Sequence, residues 1–255
     1  NPDYRISKNP GITRLYNATK FSGRTKDNLG IGIFNAVTAP MYAKVTNTHT
    51  GLDSTILTEP LSNYNIVVFD QALKNRSSIS FTNTNVLRKG NSRNANVSSL
   101  DLSLFDKKSI YNFSWTGRFS SVWGNTENKN GFTTTAAWGK MSGLIRYRAM
   151  INVEDDKYNP NDMGYLANNN SVDYTGTISY NSLNPGKRFI NEMYKLTLVN
   201  RNLYMPYKWT NFEITASAFV LLRNFWDIRA VFQTTPTAVP ATCYFRPLTR
   251  SGSDF

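Results

Sequence analysis

The sequence predicts an all-β protein, an antiparallel transmembrane β-barrel of which about twelve strands are visible. Three observations lead there. Residues 109–124 set Tyr111, Phe113, Trp115, Gly117, Phe119, Ser121 and Trp123 against Asn112, Ser114, Thr116, Arg118, Ser120 and Val122. Side chains alternate across a strand, so one face is a column of aromatics and the other is polar. The same alternation returns in hairpin after hairpin along the 255 residues. No apolar run exceeds about five residues, at 218–222, far short of the roughly 20 that a transmembrane helix needs. A soluble core asks for such a face once or twice; a barrel with lipid outside and water inside asks for it in every strand.

Taken in order, the first hairpin spans 12–39 and turns at Thr25-Lys26-Asp27-Asn28. Its return strand sets Leu29, Ile31, Ile33 and Val37 against Gly30, Gly32, Phe34 and Thr38. A long connection through Pro40, Asn47 and Gly51 reaches residue 63. The second hairpin pairs 64–73 with 77–87 about Lys74-Asn75-Arg76. The third pairs 96–105, where Leu100, Leu102 and Leu104 alternate with Asp101 and Ser103, with the aromatic strand. Asp106-Lys107-Lys108 closes it. After an Asn-rich loop, 125–130, the fourth carries Phe132, Thr134, Ala136 and Trp138 on one face. It returns through Ile145, Tyr147, Ala149, Ile151 and Val153 opposite Arg146, Arg148 and Asn152.

A long loop, 154–170, precedes the fifth hairpin, where Val172, Tyr174, Gly176, Ile178 and Tyr180 face away from Asp173, Thr175, Thr177 and Ser179. The turn is Asn184-Pro185-Gly186-Lys187, and the return runs through Tyr194, Leu196 and Leu198. The sixth sets Phe212, Ile214, Ala216, Ala218 and Val220 opposite Asn211, Glu213, Thr215 and Ser217. It turns near Arg223-Asn224 and continues with Trp226, Ile228, Ala230 and Phe232 opposite Asp227 and Arg229. The tail after Gln233, with Pro236, Pro240 and Pro247, does not read as a strand. Six hairpins whose connections alternate short and long fit an outer-membrane barrel, with short turns on one side and long loops on the other.

An Arg facing lipid at mid-membrane costs roughly 2–4 kcal/mol, which sends Arg146 and Arg148 inward. The expected lumen lining is therefore Asp101, Arg118, Arg146, Arg148, Asp173, Lys195, Glu213, Asp227 and Arg229. Tyr111, Trp115, Trp123, Trp138 and Tyr180 face out as candidate membrane-interface aromatics. The competing reading is a soluble barrel or sandwich with those aromatics in its core.

The net charge is +12, which ordinarily prompts a nucleic-acid reading. Here every short turn carries a cation: Lys26, Lys74 with Arg76, Lys107 with Lys108, Lys140, Lys187 with Arg188, and Arg223. A basic ring at one mouth follows, able to meet anionic head groups; solvated turns that favour Lys are the plainer account. No basic stripe interleaved with aromatics supports nucleic acid. The single cysteine, Cys243, excludes a disulfide framework and a thiolate metal site. His49 is alone in a loop, and no nucleophile-elbow, zincin, Walker or dinucleotide fingerprint is present. Glu154-Asp155-Asp156 lacks EF-hand spacing and reads as solvated loop. The expectation is no catalytic residue, no metal and no cofactor. The chain opens at Asn1 in loop-like Asn-Pro sequence and reads as an excised piece, so targeting is not legible from its ends.

One stretch goes beyond pattern. Tyr158-Asn159-Pro160-Asn161-Asp162-Met163-Gly164-Tyr165-Leu166 resembles a recurring segment of a family of outer-membrane barrel domains of unknown function. Ala18-Thr19-Lys20-Phe21-Ser22-Gly23-Arg24-Thr25-Lys26, with residues 29–39 after it, is similar to that family's first hairpin, and Asp70-Gln71-Ala72-Leu73-Lys74-Asn75 also fits. The resemblance covers roughly residues 12–180. It implies a Gram-negative outer-membrane location and a single barrel domain over 1–255 that is incomplete at both ends. In that family the barrel follows a domain similar to family 9 carbohydrate-binding modules. Physically, Asn161 and Asp162 followed by Gly164 are a turn signal, a loop-folding element.

The leading functional expectation is a pore, or a scaffold for carbohydrate capture or uptake at the cell surface. Its partners would be the bilayer with its lipopolysaccharide, carbohydrate and other outer-membrane proteins. The alternative is a structural subunit of an envelope or secretion complex with a plugged or incomplete barrel. A glycan hydrolase built on Asp173 with Glu213 is the third.

Overall fold

The computed structural model describes residues 3–124, 128–236 and 239–250. In chain order the strands are β1 (Tyr4–Lys8), β2 (Leu15–Arg24), β3 (Leu29–Thr38), β4 (Met41–Asn47), β5 (Asp53–Glu59), β6 (Ser62–Ala72), β7 (Ser78–Arg88) and β8 (Asn94–Phe105). They continue as β9 (Tyr111–Trp123), β10 (Lys129–Lys140), β11 (Ile145–Glu154), β12 (Ser171–Ser182), β13 (Phe189–Leu203), β14 (Lys208–Leu222), β15 (Trp226–Thr235) and β16 (Val239–Arg250). No helix occurs among the described residues.

Thirteen strands form one antiparallel sheet in the order β2-β3-β6, then consecutively to β16. β1, β4 and β5 form a separate three-stranded sheet. The large sheet has two edges, β2 and β16, and is not closed into a barrel.

The twelve expected strands correspond to β2, β3 and β6 through β15, and four more are present. The connection expected over 40–63 is a hairpin, β4–β5. The β3–β6 ladder ends at Thr38↔Ser62, and pairing resumes at Met41↔Glu59. Pro40 and Pro60 lie in that gap, and a proline offers no N–H to a ladder. The Pro-containing tail, expected to be irregular, supplies β16. As an edge strand it tolerates Pro240 and Pro247.

The connections also differ from the expected alternation. At one end lie six short turns, 25–28, 73–77, 106–110, 141–144, 183–188 and 223–225. At the other end 89–93 and 204–207 are short too, the latter because β13 and β14 each run 15 residues and carry their ladder past Val199↔Glu213. Only the β3–β6 crossing and 155–170 are long. Lys129 and Asn130 of the Asn-rich loop belong to β10, and residues 125–127 lie outside the described residues.

The turns follow local chemistry. Asn75 and Arg76 both adopt positive φ, 55° and 60°, which matches the mirror-image turn that right-twisted hairpins prefer. Asp106 closes the β8–β9 turn: its Oδ1 accepts the backbone N–H groups of Ile110 (2.6 Å) and Tyr111 (2.7 Å).

The sheet is one layer thick. Among the described residues every substantial strand–strand contact is between ladder neighbours, and no second sheet packs on either face. The most fully buried side chains are small: Val86, Ser62 and Ser120. No aromatic core exists among the described residues, contrary to what a soluble sandwich requires.

Candidate functional site

Directly paired residues of an antiparallel ladder lie on the same face, so register sorts the sheet into two faces. One carries Phe21, Ile33, Phe69, Phe81, Leu102, Phe113, Trp138, Ile151, Ile178, Leu196, Ile214 and Phe232 across β2 to β15. It stands open: Phe119 is 50% exposed, Trp138 49% and Ile178 50%. A monomer in water seldom exposes an apolar patch beyond a few hundred Å², and this one runs unbroken over twelve strands.

The five predicted aromatics all lie on this face, at different heights. Tyr111, Trp138 and Tyr180 are near the short-turn end, joined there by Tyr147 and Tyr194. Tyr111 stacks on Trp138 at 6.0 Å and Tyr180 lies 6.2 Å from Tyr194. Trp123 is at the opposite end. Trp115 sits at mid-height beside Ala136, its Nε1–H donating to Thr134 Oγ1 at 3.0 Å, apart from both boundaries. The loop-end aromatics that periodicity missed are Tyr204, edge-on to Phe132, and Trp209, which donates to Asn200 Oδ1 at 2.9 Å. They were hidden where β13 and β14 run on beyond the expected strands. A shallow groove of about 680 Å³ on the same face is floored by Ala216, Ala218 and Ala230 and walled by Ile178, Tyr194 and Phe232.

The opposite face gathers all nine predicted lumen residues, placed there by the ladders of β8 through β15. The sheet spreads them over seven strands. Asp101 accepts from Thr116 Oγ1 at 2.7 Å and lies 3.9 Å from Arg118. Arg148 donates to Ser114 Oγ at 3.0 Å, and Arg146 to the Gly143 carbonyl at 3.1 Å. Asp227 pairs with Arg229 at 2.8 Å. Lys195 stands in a row with Ser179 and Ser217.

Asp173 and Glu213 stand two strands apart on the polar face. Strand β13 separates them, with Arg201 directly opposite Asp173 and 3.5 Å from Glu213. Arg201 and Glu154 belong to the same face and were missed. Continuing the alternation of Tyr194, Leu196 and Leu198 by three more residues finds Arg201. With them, Asp101, Arg118, Glu154, Asp173, Arg201 and Glu213 form a transverse belt of mixed charge from β8 to β14, in which the neighbouring carboxylates Glu154 and Asp173 are flanked by Arg118 and Arg201.

Residues 155–170 lie against this polar face. Asp155 Oδ1 accepts the N–H groups of Lys157 (3.2 Å) and Tyr158 (2.6 Å). The Asn159 N–H donates to Ser120 Oγ at 3.0 Å. Gly131 lets the segment approach, since a Cβ there would collide with the Tyr158 backbone. Asn161 fastens the following loop to itself, accepting from Leu166 N (2.6 Å) and donating to Leu166 O (3.2 Å). The Gly164 N–H closes the turn onto Pro160 O at 2.9 Å.

Asp162 points away from that turn. One oxygen accepts from Arg88 Nη1 at 2.8 Å, the other from Arg93 Nε at 3.1 Å and Nη2 at 2.9 Å. Its side chain is only 8% exposed. Burial alone would raise its pKa, but the hydrogen bonds and charges of Arg93 and Arg88 outweigh that and hold the carboxyl below its ordinary value. His49, in the β4–β5 connection, is exposed and 3.2 Å from Asp3.

These features define a class: a single-layer antiparallel β-sheet protein with one apolar and one polar face. The family model described as a domain of unknown function, DUF5916, matches residues 1–252, and the chain belongs to that family. No curated protein and no solved structure matches it.

Proposed function

We propose that the chain is the wall of an outer-membrane β-barrel that serves as a pore for polar solutes. The apolar face meets lipid, and the polar face lines a water-filled interior. The observation that carries this reading is the open apolar face shared by twelve strands of a sheet with no second layer. A sheet must bury its apolar face against something, and hydrocarbon is the partner that asks for apolar side chains on every strand and keeps charges such as Lys140 and Glu192 to the strand ends. Thirteen strands at about 4.8 Å would span roughly 60 Å, and open sheets of that width curl. Closure completes the reading, with β2 and β16 meeting each other or further strands. Lipopolysaccharide and phospholipid would be the surrounding partners, with the cation-bearing turns at one rim.

The interior suits hydroxylated solutes, because Ser, Thr and Asn fill the rows between its charges, and Asp101 with Arg118, Arg201 with Glu213 and Asp227 with Arg229 are paired. A carbohydrate is therefore the cargo we prefer, and a neighbouring carbohydrate-binding domain, as the resemblance implies, would suit it. Two measurements test the reading. Folded protein should migrate differently on a gel before and after heating, and planar bilayers should show discrete conductance steps. Identical migration with no conductance would reject it.

A second reading, a structural or capture scaffold in an envelope complex, is favoured by the β1–β4–β5 sheet. It stands at the loop end with Tyr42, Ile56 and Leu57 half exposed. Co-purification of a stable partner that is lost when residues 41–59 are removed would support it.

A further inference from the structure

We infer that residues 155–170 are the size-determining element of the conduit, folded inward along its wall, and that Asp162 is the residue that positions them. The inference rests on the pore reading and adds what limits passage. It begins from direction. Ser120, Gly131 and Arg88 all occupy polar-face positions of β9, β10 and β7. Asn159 is bonded to the first, Tyr158 lies against the second and Asp162 is bonded to the third. The segment thus leaves β11 and crosses β10, β9 and β8 on the polar side, about 19 Å at four strand spacings. It does not extend away from the sheet end as a surface loop would.

Its placement is specified three times over. Both of its ends are held together, since Asn170 N–H donates to Asp155 O at 3.1 Å. Tyr158, 5% exposed, and Asp155, 6% exposed, are among the most buried residues of the chain. Val86, Ala95, Val122 and Thr133, also buried, are polar-face positions of β7 to β10 at the same end. The far end is anchored by Asp162, which joins Arg88 at the end of β7 to Arg93 at the end of the β7–β8 connection. The segment begins its crossing beside the charged belt: Tyr158 lies against Gly131, two positions along β10 from Thr133, which pairs directly with Arg118 on one side and Glu154 on the other. A solute passing along the polar face meets the segment and this belt together.

Two variants displace the segment by independent routes. Asp162→Asn keeps the shape and removes the charge that holds both arginines; Gly131→Val puts a branched side chain where the Tyr158 backbone lies. In folded wild-type protein, tryptic cleavage after Lys157 should be slow, and either variant should raise it by about tenfold or more, because cleavage follows the opened population. In planar bilayers the same variants should raise single-channel conductance and the largest neutral sugar admitted in vesicle swelling. A wild type that conducts, with variants that are cut faster yet conduct identically, overturns the inference and leaves the pore intact. A wild type that stays closed while the variants conduct supports it in its strongest form. Silence from wild type and both variants rejects the pore reading, and the inference with it.

Discussion

At the scale of single residues, Asp162 shows how charge and burial combine. Its folded pKa lies below the ordinary carboxylate value, so the deprotonated form is the one the fold prefers. The stability it contributes is therefore present above the unfolded value of 3.8 and is lost as pH falls through the lower folded value. Amide hydrogen exchange across 159–166 should stay slow from neutral pH down to about that value and accelerate only below it. Removing the carboxylate takes from two guanidinium groups the charged acceptor that they share. Arg88 is 14% exposed and Arg93 35%, so the cost should be on the order of 2 kcal/mol, below that of breaking a fully buried pair. Denaturant unfolding of Asp162→Asn would read it. Asp106 is the exposed counterpart. Hydrogen bonds from the Tyr111, Ile110 and Lys108 backbone lower its pKa. Asp106→Ala should loosen the β8–β9 turn and speed exchange at Ile110 and Tyr111 while leaving the belt charges in place.

At the scale of the element, a strand's two faces should answer differently to the same change. In β12, Ile178 and Thr177 are neighbours in sequence but lie on opposite faces. Ile178→Arg should cost roughly 2–4 kcal/mol in lipid-inserted stability, and Thr177→Arg, beside Arg148 in the ladder, well under half of that. Equal costs in a vesicle folding titration would count against lipid on the apolar side. Alternation was enough to put the nine polar candidates on one face and the five aromatics on the other, because a period of two is a local property of extended backbone. It did not locate the β4–β5 hairpin or β16. Both contain or border prolines, and whether a proline ends a strand depends on whether a neighbour needs its missing N–H. That is settled by position in the sheet.

At the scale of the whole molecule, the meander sets all six cation-bearing turns at one end and the 89–93 and 155–170 connections at the other. Protein folded into sealed vesicles from one side should therefore be cut by external trypsin at one set only. Cleavage after Lys89 and Arg93 belongs to one set; cleavage after Lys74, Lys107, Lys108 and Lys187 belongs to the other. Mixed cutting in a uniformly oriented sample would contradict a spanning sheet. The amino-acid sequence by itself determined the strand period, the face of each side chain and the chemistry of the turns, since each depends on residues within a few positions of one another. The tertiary structure alone decided that the faces stay single-layered, that Arg201 stands between Asp173 and Glu213, and that 155–170 folds back over the polar face onto Arg88 and Arg93. Those contacts join residues up to 74 positions apart, and no local pattern encodes which distant partner a buried carboxylate will find.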